Sequence, residues 1–466
     1  MLQFFNHDRS LCDGLTRRDW LRVGSISLGG LSLPQLLQRR AQATEATLPV
    51  KAKSVIVLFN SGGVPQHESL DPKPDGPKET RGIFGAIPTR TPGTFIGELL
   101  PRTALLTDKM AIIRTMVTGD NAHSTSGYQM LTGIPHIPLH RENAGPGKPN
   151  DWPSLNAYVQ ALRPPRGGLP ASVSLPRRMA NNNGQDPWPG TDAGFLGRKF
   201  DPWFLTCDPS EANFQAPGSE LPKDLSTTRM NGRLSLLGEF GRQINELEQT
   251  ASVQSYDRYQ QQAINLIAGG HARKAFDIGN EPDSVRDRYG RTKQGQSVLL
   301  ARRLVEAGVS LVQVNWSSID KNKPNSGGWD THEQHNDSVK GWLLPVMDQV
   351  YSALIEDLDQ RGLLDETLVC WVAEFGHTPK FNARAGRDHW GRTFCIALAG
   401  GGIKGGVVHG TTDRNASDPL GDVVRPSDYL ATVFQCLGFA PETMVYDVEN
   451  RPIPISRGHA VTSVLG

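Results

Sequence analysis

The segment Lys53-Ser54-Val55-Ile56-Val57-Leu58-Phe59 is a near-continuous apolar run rich in β-branched residues. A run of that kind reads as a parallel strand buried on both faces rather than half-solvated. It ends in Ser61-Gly62-Gly63, a turn that lets backbone approach a ligand closely. Met110 to Met116, Val309 to Trp316, Thr367 to Ala373 and Thr393 to Leu398 have the same character. Helical patterns separate them: a helix through Met130 after the polar loop Gly119–Ser126, then Arg229 to Ala275, Gln294 to Ala307, Asp337 to Gln360 and Ser427 to Leu437. Such alternation predicts an α/β fold, a mostly parallel sheet covered by helices on both faces and joined by right-handed crossovers.

The first segment reads differently. Thr16-Arg17-Arg18-Asp19-Trp20-Leu21-Arg22 precedes a Gly/Ser-rich apolar run, Val23 to Leu37, and then Ala41-Gln42-Ala43. Arginine pair, apolar run and A-x-A site in that order predict a twin-arginine export signal over 1–43. The alternative is a surface helix with a chance arginine pair. The twin-arginine translocase would be a partner during export, and the chain would work in the periplasm or outside the cell. The apolar run is too short to be a stable membrane span.

Roughly 420 residues then remain, and we expect one domain over 44–466 with a Pro/Gly/Asn-rich, loop-rich insertion at about 141–222. A formal net charge of +1 gives no sign of a nucleic-acid partner. Cys207, Cys370, Cys395 and Cys436 show no C-x-x-C spacing, which argues against a zinc ribbon.

Polar clusters sit where predicted strands end, the usual ligand edge of an open α/β sheet. They are Gly328-Trp329-Asp330-Thr331-His332-Glu333-Gln334-His335, Ala373-Glu374-Phe375-Gly376-His377 and Gly386-Arg387-Asp388-His389-Trp390-Gly391-Arg392. Imidazole with carboxylate is the ligand chemistry of zinc, manganese or iron. His332 and His335, three apart, share a face if their loop is one helical turn. Arg387 and Arg392 could bind an anionic group. Each cluster has a plainer reading: Asp330 and Thr331 as helix caps, Glu374 in a structural ion pair, His389 as a hydrogen-bonded core histidine. Gly62 to Asp71 carries His67, Glu68 and Asp71 into the same crevice, or is only an Asp-Pro turn.

These features, taken in order, resemble a known family. The Arg17-Arg18 signal, Gly62-Gly63 through Asp71-Pro72-Lys73-Pro74, Leu131-Thr132-Gly133, Trp329-Asp330-Thr331-His332, Glu374-Phe375-Gly376-His377-Thr378-Pro379 and Gly386-Arg387-Asp388-His389-Trp390 resemble the bacterial secreted family called domain of unknown function 1501. That family is similar in fold to the alkaline phosphatase and sulfatase superfamily. The resemblance implies a metal site at the carboxyl ends of the strands. By the Leu131-Thr132-Gly133 register, His123 stands where sulfatases have their nucleophile and Gly127 where they have an arginine. Ser124 is a neighbour out of register. Ser61 stands where the superfamily has a first-strand aspartate. Cys207-Asp208-Pro209-Ser210 lacks the arginine of a formylglycine signature.

The expectation is therefore an exported, metal-dependent hydrolase of phosphate or sulfate esters, acting on a small anionic ester or a sulfated or phosphorylated glycan. One or two divalent ions (Zn, Mn or Fe, with Ca as a further candidate) would be held by Asp330, His332, His335, Glu374, Asp388 and His389. His123, Arg387 and Arg392 would do catalysis, with His67, Glu68, Asp71, Ser124 and His377 as secondary candidates. The alternative is a non-catalytic secreted binding or assembly protein that keeps the fold.

Overall fold

The computed structural model describes residues 48–181, 186–215, 232, 274–316 and 327–466. The proposed export segment and nearly all of the expected helix over 229–275 lie outside them. Pro49–Gly466 form one compact unit.

The main sheet is built from β1 (Ser54–Phe59), β2 (Met110–Met116), β3 (Ser172–Leu175), β4 (Trp203–Phe204), β5 (Leu311–Asn315), β6 (Thr367–Val372), β7 (Phe394–Ala399) and β8 (Val407–His409). Their order across the sheet is β8-β2-β7-β6-β1-β5-β3-β4. β1 pairs in parallel with both β5 and β6, and β3 continues that direction beyond β5. β7 alone runs against its neighbours β2 and β6. The sheet is mostly parallel, as the apolar runs predict.

Side chains of a strand alternate between faces, and β1 shows what each face buries. Ile56 and Leu58 join Val312, Val369 and Trp371 in a core with α3 (Lys293–Glu306) and α4 (Leu344–Gln360). Val55, Val57 and Phe59 join Leu368, Cys370 and Ile396 in a second core. Helices α1 (His123–Thr132), α2 (Leu155–Leu162) and α5 (Pro426–Cys436) close that side. No helix among the described residues is long and apolar enough to cross a membrane.

Local chemistry sets the helix ends. Thr292 caps α3 by accepting the Gly295 N–H at 3.1 Å, and Ser154 caps α2 through the Ala157 N–H. Gly133 ends α1 in the left-handed region at φ 74°, so the Leu131-Thr132-Gly133 motif includes a helix stop. The expected helix 337–360 is interrupted by a π-helical turn, Val339–Leu343. Pro345 follows at the start of α4 and cannot donate to the preceding turn, which widens to accommodate it.

The segment 141–222 departs from expectation. Rather than standing apart as an insertion, it supplies α2, β3 and β4 to the main fold. Four residues of β3 and two of β4 are too few for a periodic signal to rise above the surrounding Pro and Gly.

Candidate metal centre

The loops that follow β1, β2, β5 and β6 leave the sheet at its carboxyl edge, and β7, running the other way, starts there. This topology brings His123, Asp330, His332, Glu374, Asp388 and His389 together. Gly62 makes the close approach feasible. Its φ is 110°, and a Cβ there would lie 2.5 Å from the Asp330 backbone nitrogen. Its N–H donates to Glu374 Oε1 at 2.7 Å.

Asp330 is the hub. His389 Nε2 lies 2.9 Å and His332 Nε2 3.0 Å from its Oδ1, and His123 Nε2 lies 3.2 Å from its Oδ2. Each imidazole is anchored through its other nitrogen. His123 Nδ1 meets Glu374 Oε1 at 2.9 Å, His332 Nδ1 meets Asp388 Oδ1 at 2.7 Å, and His389 Nδ1 donates to the Asn121 carbonyl at 2.7 Å. Asn382 fixes Asp388 in turn, donating to its Oδ1 at 2.9 Å. A carbonyl can only accept, so His389 carries its proton on Nδ1 when neutral, and its Nε2 lone pair faces a carboxylate. A lone pair and a carboxylate turned toward each other make a place for a cation.

Protons serve in the metal-free protein. Burial lowers the affinity of His123 for its proton, but hydrogen bonds to Asp330 and Glu374 outweigh burial and push it up to about 10. The bond to Asp330 likewise raises His332. Burial would raise Asp330, but its histidine neighbours hold it far below the usual carboxylate range.

The same donors suit an ion. Ligand atoms of Asp330, His332 and His389 lie within 4.8 Å of one another, as do those of His123, Glu142 and His389. Donors bonded to one ion at about 2.0–2.2 Å lie at most about 4.4 Å apart, so only a small inward shift is needed. Glu374 Oε2 is buried without a hydrogen-bond partner, so the carboxylate keeps unused capacity beside the cluster. Nδ1 anchoring by a carboxylate or carbonyl is the arrangement that orients metal-binding histidines. The set of imidazoles and one central carboxylate fits Zn, Mn or Fe better than the all-oxygen shell of Ca.

Several expected site residues stand elsewhere. Glu374 and Asp388 lie behind His123 and His332 as anchors. His335 does not share a face with His332: Gln334 takes the left-handed conformation at φ 47°, and a helix starts only at His335. His335 instead bonds Thr331 Oγ1 through Nδ1 at 2.6 Å and sits 3.4 Å from Glu68 Oε2. Arg387 is fully buried and does not face the hub. It pairs with Glu68 at 2.7 Å and donates to the carbonyls of Thr80, Thr378 and Pro379. Arg392 is exposed and bonded to Asp418. Asp71 is committed to Lys73, Arg114 and Thr412. His67 Nε2 donates to the Asn415 carbonyl at 2.7 Å and His377 Nε2 to the Gly62 carbonyl at 3.1 Å. His123 has both ring nitrogens engaged, an arrangement better suited to holding an ion than to nucleophilic attack. Ser124 clamps a neighbouring loop through Arg141 and Ala144. Trp188 packs against Gly127, with a ring carbon 2.4 Å from where a Cβ would stand; an arginine has no room there.

The sequence reading missed Asn121 and Glu142. Asn121 stands in the polar loop before α1, where a position that uses only its backbone carbonyl leaves no trace in residue type. Glu142 lies in the weakly patterned region after α1.

Among solved structures, the chain is similar to a sulfatase from Pseudoalteromonas sp., at 12% identity and TM-score 0.37, with 86% of this chain and 71% of that chain covered. It is similar to an alkaline phosphatase superfamily protein from Vibrio parahaemolyticus, at 12% identity and TM-score 0.38, covering 94% and 80%. It is also similar to a phosphonate monoester hydrolase from Silicibacter pomeroyi, at 11% identity and TM-score 0.35, covering 88% and 76%. No curated protein matches it. The model of a family described as "Protein of unknown function (DUF1501)" matches residues 52–465. With most of its length matched, the chain belongs to the DUF1501 family.

Proposed function

We propose that this protein is an exported hydrolase of phosphate or sulfate esters that works with one divalent metal ion, held by Asp330 and the Nε2 atoms of His123, His332 and His389. The observation that carries the reading is the convergence of those nitrogens on one carboxylate, each imidazole anchored from behind. An ion bound there supplies the positive charge that polarises an ester oxygen and eases deprotonation of water. The protein's residues supply orientation. Glu374, Asp388 and the Asn121 carbonyl hold each ring in one tautomer, and Asn382 and the Gly62 N–H fix two of those acceptors.

Substrate would enter beside Asp388, where a cavity of about 420 Å³ is lined by Lys380, Asn382, Trp390 and Arg392 among others. Asp388 and Asp418 line it as well, so polar groups of both signs, an amide and an aromatic face suit a sugar-sized polar group. The test is ester turnover by natively exported protein across phosphate and sulfate esters, including glycan esters, before and after chelation. Turnover that chelation abolishes and Zn, Mn or Fe restores supports the reading. Turnover indifferent to chelation contradicts it.

One observation favours a second reading, a secreted binding protein with a single structural ion: the buried Arg387 spends its donors on Glu68 and carbonyls. A stably held ion with no turnover on any ester would select it.

Export is read from Arg17 and Arg18. Lysine lacks the fork geometry of the guanidinium, so Arg17→Lys with Arg18→Lys should leave the precursor in the cytoplasm. Unchanged periplasmic yield would rule out the signal.

A further inference from the structure

We propose that Glu142 is an exchangeable ligand of this centre, filling its solvent-facing position in the substrate-free protein and yielding that position to an anionic oxygen of the substrate. The inference rests on the metal centre proposed above.

A Glu142 carboxylate oxygen lies within 4.8 Å of ring nitrogens of both His123 and His389. Its Oε1 accepts the backbone N–H of His123 at 2.9 Å. The carboxylate therefore sits between an imidazole pair of the centre and the first N–H of α1, a direction that favours negative charge. Glu142 is exposed, whereas Glu374 is fully buried. A buried carboxylate cannot leave without stranding its charge or its partners, but Glu142 can rotate into water at small cost.

The backbone that delivers it is held on both sides. Buried Ser124 donates its hydroxyl to the Arg141 carbonyl at 3.0 Å and accepts the Ala144 N–H at 2.9 Å, so one side chain brackets Glu142. Buried Asp120 accepts the His140 N–H at 3.2 Å and the Ala122 N–H at 3.0 Å, tying the loop to the start of α1. His140 and Asn143 adopt φ of 58° and 54°. Non-glycine residues keep that conformation where their surroundings over-determine it, and such positions cluster at functional sites. A fixed loop with a solvent-facing carboxylate at its tip gives an arm that can leave and return. Ser124 acts through it as a positioning residue.

The experiment is calorimetric titration of the full mature chain, first with Zn²⁺ and then, once Zn-loaded, with inorganic phosphate. Glu142→Ala should weaken Zn²⁺ binding about tenfold, the scale of losing a supporting ligand. It should strengthen phosphate binding about tenfold if Glu142 occupies the position nine-tenths of the time. Ser124→Ala should shift both in the same directions by less, and should add nothing in the Glu142→Ala background. A merely structural serine would instead change both backgrounds equally. Unchanged Zn²⁺ affinity in Glu142→Ala, or phosphate affinity that stays level or falls, overturns this inference while leaving the centre intact. A wild-type chain that takes up no Zn²⁺, Mn²⁺ or Fe²⁺ overturns both.

Discussion

Two histidine-and-carboxylate layers lie side by side in this protein, and they differ in what their residues are free to do. In the outer layer, His123, His332 and His389 each turn Nε2 toward half-buried Asp330. His123 and His332 hold protons more tightly than usual. In the inner layer, His335 lies 3.4 Å from Glu68 of the fully buried Glu68–Arg387 pair, with the His377 ring beside its own and buried His67 next to Glu68 in the chain. Burial there pushes His67 down to about 4 and lowers His335 and His377 as well. Residue type does not separate the layers, and neither does position: His332 and His335, or Arg387 and His389, are near neighbours in the chain. What separates them is the balance at each ring: His123 and His332 each meet two carboxylates, whereas at His335 burial outweighs the one carboxylate, Glu68, which Arg387 already neutralises. By the proposed function, the outer layer would exchange its protons for a cation, while the inner layer holds the loops.

The largest effect on stability should come from the inner layer. Arg387→Met leaves Glu68 buried beside His335 without its cation. Breaking a fully buried pair from one side costs about 3–5 kcal/mol, which a urea unfolding curve would show, while the surviving folded protein should bind metal as before. Wild-type stability in that variant would mean that the pair is not structural.

His389→Ala is the matching change in the outer layer. It should lower metal affinity by about 10²-fold or more, because one of few ligands is lost outright, and leave the unfolding midpoint of metal-free protein nearly unchanged. Loss of stability without loss of metal would exchange the roles of the two layers.

The layers should also respond oppositely to pH. A buried histidine with a depressed pKa favours the folded state at neutral pH and charges only when unfolded. The stability contributed by His67 is therefore present above about 6.5 and is lost as pH falls toward 4, and His335 and His377 act in the same direction. His123 has the reverse sign. Its proton stabilises metal-free protein below about 6.5, and that contribution is lost as pH rises through about 10. A metal must displace the same proton, so apparent metal affinity should rise about tenfold per pH unit across that interval. A flat affinity profile between pH 7 and 9 would remove His123 from the ligand set. The smallest effect belongs to Asn382→Ala, which frees Asp388 behind His332 and should weaken metal binding by about tenfold or less; no change in a competition titration would show that this anchor is dispensable.

Much of the fold is visible in residue patterns because β1, β2, β5, β6 and β7 are almost wholly buried and read as mostly apolar runs. β3 and β4 are hidden by their length. Asp330, His332, Glu374 and His389 stand out because polar residues at the ends of buried strands have few structural reasons to be there. The division into layers does not show in the chain. It depends on one left-handed residue, Gln334, that turns His335 inward, and on the inward course of Arg387 to Glu68. Asn121 contributes a carbonyl, which every residue has.

The central claim is that three imidazole nitrogens and Asp330 hold one ion in the outer layer. Elemental analysis and X-ray absorption on natively purified, never unfolded chain, wild type beside His389→Ala, decide whether that ion is present. The wild type should carry about one equivalent of Zn, Mn or Fe with nitrogen and oxygen donors at roughly 2.0–2.2 Å, lost in the variant. A wild-type chain without such an ion, or a His389→Ala chain that retains it with an unchanged donor shell, would contradict it.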